Sequence, residues 1–276
     1  MHMMPLARFA VASLAAILMA SAALAEDLVI PGSGNPEYVL GQLARAFNRQ
    51  QLVHRVTVPP STGTEAAWRD VETGTASVGR VGRRPDEKER SKGLSYVALG
   101  RDPVVFAGGA KVTLRSLTQA QVVEIYRGKI ADWRELGGKP GPIRVIAREV
   151  TATSRQAIGR LIKPFEDIAF GENAKVVHLD PQMIELLDRF PTSLGFLNQS
   201  ALSACKTKVV RLALDGVEAT PENVQNGRYG LWVEPGLIYK SNELTPAGKA
   251  FLEFVKSPDG TRILREHGVV PAVSAR

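Results

Sequence analysis

One unit recurs along this chain: a short apolar run, a turn rich in glycine and hydroxyl residues, and then an amphipathic segment. The apolar runs cover residues 28–30, 56–58 and 143–147, and the turns cover residues 32–35, 59–64 and 148–154. Apolar residues spaced three and four apart follow each turn, which predicts a helix. Strands that alternate with helices in this way predict an α/β fold of mostly parallel sheets flanked by helices.

The three turns are the first candidates for a site. Ligands in open parallel sheets lie beyond the carboxyl ends of the strands, where these turns would be. The third turn reads Arg148-Glu149-Val150-Thr151-Ala152-Thr153-Ser154-Arg155. Free N–H groups at a helix start, hydroxyl donors and an arginine fork suit phosphate or carboxylate. The alternative is an ordinary helix start with two solvated arginines.

Residues 1–25 have the features of a cleaved secretory signal peptide. Arg8 precedes an apolar and small-residue run at 9–24, and Ala23-Leu24-Ala25 matches an A-x-A cleavage site. No later run is long and apolar enough to cross a bilayer. Cys205 is the only cysteine, which excludes an internal disulfide and gives no lipid anchor near the leader. We therefore predict a soluble protein of the periplasm.

Two other classes of function find little support. The net charge is +7, but the chain has no dense Lys/Arg run and no basic-aromatic alternation, so we predict no nucleic-acid partner. His54, His178 and His267 lack the spacing of metal ligands, and the chain has neither a G-x-S-x-G elbow nor a P-loop. We predict no enzyme activity, no catalytic residue, no metal and no cofactor.

Residues 117–138 carry a longer motif. They read Leu-Thr-Gln-Ala-Gln-Val-Val-Glu-Ile-Tyr-Arg-Gly-Lys-Ile-Ala-Asp-Trp-Arg-Glu-Leu-Gly-Gly. This closely resembles a signature of the periplasmic phosphate-binding proteins of ABC transporters, in which a Leu-Thr-x-x-Gln helix leads into an aromatic-x-Gly-Lys-Ile-x-x-Trp turn and then Gly-Gly. Residues 228–232, 251–260 and 268–271 are similar to later parts of the same family.

The resemblance implies the type 2 periplasmic-binding-protein fold, with two lobes joined by two crossing strands. The first lobe would hold residues 26–105 and 233–276, and the second would hold residues 106–232. The ligand would lie in the cleft between the lobes and would be buried when they close.

The resemblance also implies the site residues. The implied ligand-binding residues come from the family's three loops and include neighbouring hydroxyl and arginine residues. They are Ser33, Gly34, Asn35, Ser61, Thr62, Gly63, Thr64, Arg148, Thr151, Thr153, Ser154 and Arg155. The family's third loop is Arg-x-x-Gly-Ser-Gly-Thr. Arg148 matches its arginine and Ser154 keeps the hydroxyl of its threonine, but Thr151-Ala152-Thr153 replace Gly-Ser-Gly.

A second departure lies at Gly82. Many phosphate binders place an aspartate or serine near this position, where an aspartate accepts the proton of hydrogen phosphate. Here Gly82 is followed by Arg83 and Arg84. The acceptor is therefore absent from this segment, and the two arginines either point into the cleft or are solvated at the surface.

Together these features predict a monomeric solute-binding protein that captures a tetrahedral oxyanion, inorganic phosphate first, for an inner-membrane ABC permease. One alternative keeps the fold but uses it as a sensor or adaptor module. Another keeps the cleft but changes its anion to a substituted phosphate or a sulfate-like ion, with loss of ordinary phosphate binding.

Overall fold

The computed structural model describes residues 25–206 and 208–272. The predicted signal peptide therefore lies, except for Ala25, outside the described residues. Within the described ranges, no helix combines the length and the apolar character that a membrane crossing requires.

Strands and helices alternate through most of the chain. The strands are β1 Glu26–Val29, β2 His54–Thr57, β3 Val78–Val81, β4 Ser95–Ala98, β5 Gly100–Gly108, β6 Ser116–Leu117, β7 Arg144–Arg148, β8 Lys175–Val177, β9 Ser193–Asn198, β10 Val210–Leu214, β11 Trp232–Val233, β12 Gly236–Tyr239 and β13 Val270–Pro271. The helices are α1 Glu37–Gln50, α2 Thr64–Glu72, α3 Glu87–Arg90, α4 Gln119–Tyr126, α5 Thr153–Leu161, α6 Asp180–Arg189, α7 Gln199–Leu202, α8 Pro221–Gln225, α9 Pro246–Lys256 and α10 Pro258–Glu266.

The recurring unit of the sequence is present in all three predicted places. In each unit a strand (β1, β2 or β7) is followed by a polar turn and a helix (α1, α2 or α5). Helix α1 forms because Val39, Leu40, Leu43 and Phe47 fall on one face, and all four are buried. On α5, Ala157 and Ile158 are buried, whereas Leu161, the last residue of the helix, is 39% exposed.

The strands form both parallel and antiparallel pairs. Strands β1 and β2 pair in parallel, and so do β7 with β8, β7 with β9, and β10 with β6. Every antiparallel pairing between the strands named above involves β5 or β12. The largest sheet has the order β6-β10-β5-β9-β7-β8, and β12 lies between β3 and β4 in a separate three-stranded sheet.

The buried apolar residues fall into clusters that do not mix the two parts of the chain. Two clusters draw on residues 28–99 together with residues 237–269. The other two draw on residues 104–233. The chain passes between these parts along β5 and again after β11, and the two strands pair there through Asp102 with Val233 and Pro103 with Trp232. Two crossing strands thus lie side by side between two separately packed cores.

Candidate functional site

A cleft of about 440 Å³ lies where the three polar turns meet. Its lining includes every predicted site residue except Arg155, namely Ser33, Gly34, Asn35, Ser61, Thr62, Gly63, Thr64, Arg148, Thr151, Thr153 and Ser154. The turns belong to both packed parts of the chain, so the cleft lies between the two cores. Hydroxyl groups from all three turns face one space.

The three helices that follow the polar turns begin at this cleft, as does α6, and none of these three has a side-chain cap at its N-cap residue. The N-cap residues of α1, α2 and α5 are Pro36, Gly63 and Ala152, and none accepts a hydrogen bond through its side chain. By contrast, Thr118, Thr245 and Ser257 cap α4, α9 and α10. The first N–H groups of a helix have no partner within it and carry the positive end of its dipole. The cleft therefore collects free backbone donors as well as hydroxyls.

Arg80 holds the first two turns in place. Its side chain is fully buried and donates to the carbonyl oxygens of Ser33 at 2.7 Å, Pro59 at 2.7 Å and Ile30. Its Nη2 also lies 3.3 Å from Glu37 Oε2. Burial lowers the pKa of Arg80, although the Glu37 carboxylate opposes this effect. Arg80 is thus engaged with protein atoms and serves the shape of the cleft.

Gly32 is required by this arrangement. Its φ of +131° is rarely adopted by residues with a side chain, and a Cβ there would lie 2.1 Å from the carbonyl oxygen of Arg80. The N–H of Ser33 donates to that same oxygen at 2.9 Å. Glycine at this position therefore lets the first turn pack directly against β3.

Asn35 bridges the two parts of the chain across the cleft. Its Nδ2 donates to Thr153 Oγ1 at 2.9 Å and to Asn198 Oδ1 at 3.0 Å, and Asn198 Nδ2 donates back to Asn35 Oδ1. All three residues are buried. The first turn is therefore bonded directly to the third turn and to the end of β9.

The bridge is anchored on a buried carboxylate in the crossing strand β5. Asp102 is fully buried and accepts bonds from Asn198 Nδ2 at 3.1 Å, from the backbone N–H of Ser200 at 3.1 Å and from the Ser200 hydroxyl. Burial raises the pKa of Asp102 to about 7, although these donors favour the ionised form. A polar network thus runs from the crossing strand to the cleft.

Arg148 lies at the cleft with its charge already compensated. Its guanidinium bonds to Asp180 Oδ1, donates to the carbonyl oxygen of His178 at 3.0 Å, and lies 3.4 Å from Glu149 Oε2. Burial opposes the charge, but Asp180 and Glu149 outweigh it and hold the pKa of Arg148 above its usual value. Glu149, Asp180 and Glu65 also line the cleft. Carboxylates are therefore present, although none comes from the segment around Gly82.

The other arginines near the cleft have different positions. Arg83 lines the cleft and bonds to both oxygens of Glu89 at 2.6 and 2.9 Å, whereas Arg84 bonds to Glu234 at 2.8 Å and its side chain is 67% exposed. Arg155 does not line the cleft. It donates to the carbonyl oxygen of Arg148 at 3.0 Å and its guanidinium lies over the ring of Phe170.

Gly82 occupies a place with no room for a side chain. A Cβ there would lie 2.6 Å from Thr153 Oγ1 and 2.8 Å from Ser33 Oγ. In this conformation, hydroxyls from the first and third turns fill the space that the side chain of an acid at position 82 would need.

Some of these residues escaped the sequence analysis. Asn198 and Ser200 lie 96 and 98 positions after Asp102 in the chain, and none of the three belongs to a motif. Only Arg80 could have been noticed, because it is a charged residue within the short run that forms the buried strand β3. No group of three His, Cys, Asp or Glu side chains in the described ranges is placed to hold a metal ion.

Comparisons with known proteins agree with this architecture. A model of the PBP superfamily domain matches residues 19–259. The phosphate-binding protein PstS of Bacillus subtilis is 26% identical over 260 residues, which cover 91% of this chain and 82% of that protein.

Solved structures extend the comparison. A putative phosphate ABC transporter substrate-binding protein from Clostridium perfringens, with bound phosphate, is 26% identical with a TM-score of 0.77, covering 90% of this chain and 100% of that one. An ABC-type phosphate transport receptor from Vibrio cholerae has a TM-score of 0.67 at 23% identity, covering 89% of this chain and 100% of that one, and supports the fold alone. The predicted fold class is confirmed, and the chain belongs to the PBP superfamily, with the two-lobe α/β fold of the phosphate-binding proteins of ABC transporters.

Proposed function

We propose that this protein is a solute-binding protein that captures phosphate for an ABC transporter. One observation carries the proposal: three helix N-termini without side-chain caps and the hydroxyls of three turns converge on one cleft. The names of the Bacillus subtilis and Clostridium perfringens relatives, both of which refer to phosphate, support the same ligand.

The cleft offers both kinds of partner that hydrogen phosphate needs. Free N–H groups and hydroxyls donate to the phosphoryl oxygens, and the buried Arg148 offsets the charges of Asp180 and Glu149 beside them. Asp180 and Glu149 next to Arg148 supply acceptors for the remaining proton of the anion. Sulfate has no proton at neutral pH, so the same carboxylates would repel it. The ligand-binding set is therefore the predicted one without Arg155, with Asp180 and Glu149 as acceptors.

Ligand capture works by closure of two lobes, composed of residues 26–105 with 233–276 and residues 106–232. The separate cores and the pair of crossing strands support this division. Asn35 belongs to the first lobe and its partners Thr153 and Asn198 belong to the second, so their bonds favour the closed form. Binding and closure are the whole activity, with no chemical step.

The cellular setting follows from the same proposal. The signal-peptide features of residues 1–25 support a periplasmic location for the mature protein, where we propose that it acts as a monomer and delivers its anion to an inner-membrane permease. Nothing in its function calls for a cofactor or a nucleic acid.

A thermal-shift panel tests the ligand. Purified protein is heated with phosphate, sulfate or chloride at matched ionic strength. A ligand that binds only the native state raises the unfolding temperature, increasingly so with concentration. We expect a rise with phosphate and none with sulfate; no rise with any anion would contradict the proposal.

A further inference from the structure

A second cavity, of about 730 Å³, lies between helices α1 and α6. Gly34 and Asp180 line both this cavity and the anion cleft. Gly34 belongs to the first polar turn, and Asp180 is the ion-pair partner of Arg148. The two spaces therefore adjoin at the place where the anion would be held.

The second cavity has the chemistry of an apolar site. Tyr38, Val58 and Ile184 contribute half-buried apolar surface, and Pro181, Ala201 and Ala204 add to it. Four of its charged residues are exposed, namely Arg45, Glu185, Arg189 and Lys206, whereas Glu37 and Asp188 are half-buried and Asp180 is buried where the cavity meets the cleft. A small anion gains nothing from such a surface, whereas a hydrocarbon group gains about 25 cal/mol for each Å² that it removes from water.

Because residue 34 is glycine, no side chain at this position separates the second cavity from the anion cleft. The backbone conformation at residue 34 does not require glycine. Its φ lies outside the positive range that excludes other residues. An added Cβ would meet only the Ser61 side chain, at 3.2 and 3.3 Å. The absence of a side chain at position 34 is therefore a property of the site and is not imposed by the turn.

We infer that the protein binds phosphate monoesters, with the phosphoryl group in the cleft and an apolar substituent in the cavity between α1 and α6. This inference rests on the proposed anion site and specifies its ligand class. Substituted phosphates meet the hydroxyls and helix N-termini as phosphate does, and they also bury an organic group against Tyr38 and Ile184.

Gly41 provides the test, because it lines the second cavity but not the cleft. Its added Cβ would have only Arg45 Nη1 nearby, at 3.6 Å. Gly41→Phe therefore fills the cavity without disturbing the turns, and Gly41→Ala is the matched control that makes the same backbone change but leaves the cavity open. Calorimetric titrations of the wild-type protein and both variants use inorganic phosphate and phenyl phosphate as probes.

We expect phenyl phosphate to bind the wild type and Gly41→Ala equally, and to bind Gly41→Phe roughly tenfold or more weakly. Inorganic phosphate should bind all three proteins alike. Binding of inorganic phosphate without phenyl phosphate, or equal effects of Gly41→Phe on both probes, would overturn the inference while leaving the proposed function intact. If neither probe binds the wild type, the anion site itself is wrong.

Discussion

At the residue scale, we expect anion binding to depend most on Arg148, because it offsets the charges of Asp180 and Glu149 at the cleft. The Arg148→Ala variant leaves Asp180 and Glu149 as unpaired carboxylates beside the ligand. Loss of one partner of a buried, hydrogen-bonded charge pair costs about 2–5 kcal/mol of binding. Equilibrium dialysis with labelled phosphate measures the change.

Arg155 supplies the matched control for Arg148. It lies seven residues on and outside the cleft, stacked on Phe170. The Arg155→Ala variant should bind phosphate as the wild type does. If both variants, or neither, lose affinity, then the position of Arg148 does not account for binding.

Gly82 tests whether the missing acid has a steric cause. The Gly82→Ala variant places a methyl group within contact distance of Thr153 Oγ1 and Ser33 Oγ, so these hydroxyls must move apart. We expect weaker phosphate binding, because both hydroxyls line the cleft. Fluorescence titration that follows the tryptophans provides the readout. Unchanged affinity in Gly82→Ala would show that the cleft has spare room at this point.

At the scale of secondary structure, the open N-terminus of α5 should be sensitive to capping. In Ala152→Asp, the new carboxylate can accept from the N–H groups of Ser154 and Arg155, which the cleft offers to an anion. An N-cap of this type stabilises a protein by about 1 kcal/mol. We therefore expect urea denaturation to show a more stable ligand-free protein, while dialysis shows weakened phosphate binding. Stronger binding in this variant would mean that the helix start does not face the ligand.

The elements themselves were predictable because the apolar periodicity is local. Leu28, Val56 and Val145 lie in apolar runs that form strands, and a hydroxyl-rich turn and a helix follow each run. The place of the proposed anion site could therefore be predicted from the order of elements. The resemblance of residues 117–138 to a known family added the two-lobe arrangement, which no periodicity reveals.

The contacts that complete the site were not predictable, because they join residues far apart in the chain. Asp180 follows Arg148 by 32 positions and reaches it only because β8 pairs beside β7. Asn35 and Asn198 are 163 positions apart. The position of Arg155 was also unpredictable, since its direction depends on Phe170 in a later turn.

At the scale of the whole molecule, Asp102 should make stability depend on pH. Burial raises its pKa from 3.8 to about 7. Between these two values the unfolded chain loses the proton while the folded protein retains it, so this residue's contribution to stability falls as the pH rises from about 4 to 7. The expected loss is on the order of a few kcal/mol.

Other groups also titrate, so the comparison must be made against a variant. The pKa of Asp132 is lowered to about 2, chiefly by its hydrogen bond from Arg134, so its contribution to stability is lost only below about pH 4 and stays constant between pH 5 and pH 7.5. Urea denaturation at pH 5 and pH 7.5 should show a larger fall, or a smaller rise, of the unfolding free energy with pH in the wild type than in an Asp102→Asn variant, which lacks the titrating group. If the unfolding free energies of the two proteins changed equally with pH, then titration of Asp102 would not contribute to stability.

Calorimetric titration of the wild-type protein with inorganic phosphate at neutral pH tests the central claim most directly, namely that the three open helix N-termini and their hydroxyls form one phosphate site. The account predicts saturable binding of one phosphate per chain, with no comparable binding of sulfate under the same conditions. The absence of saturable phosphate binding, or equal binding of sulfate, would contradict it.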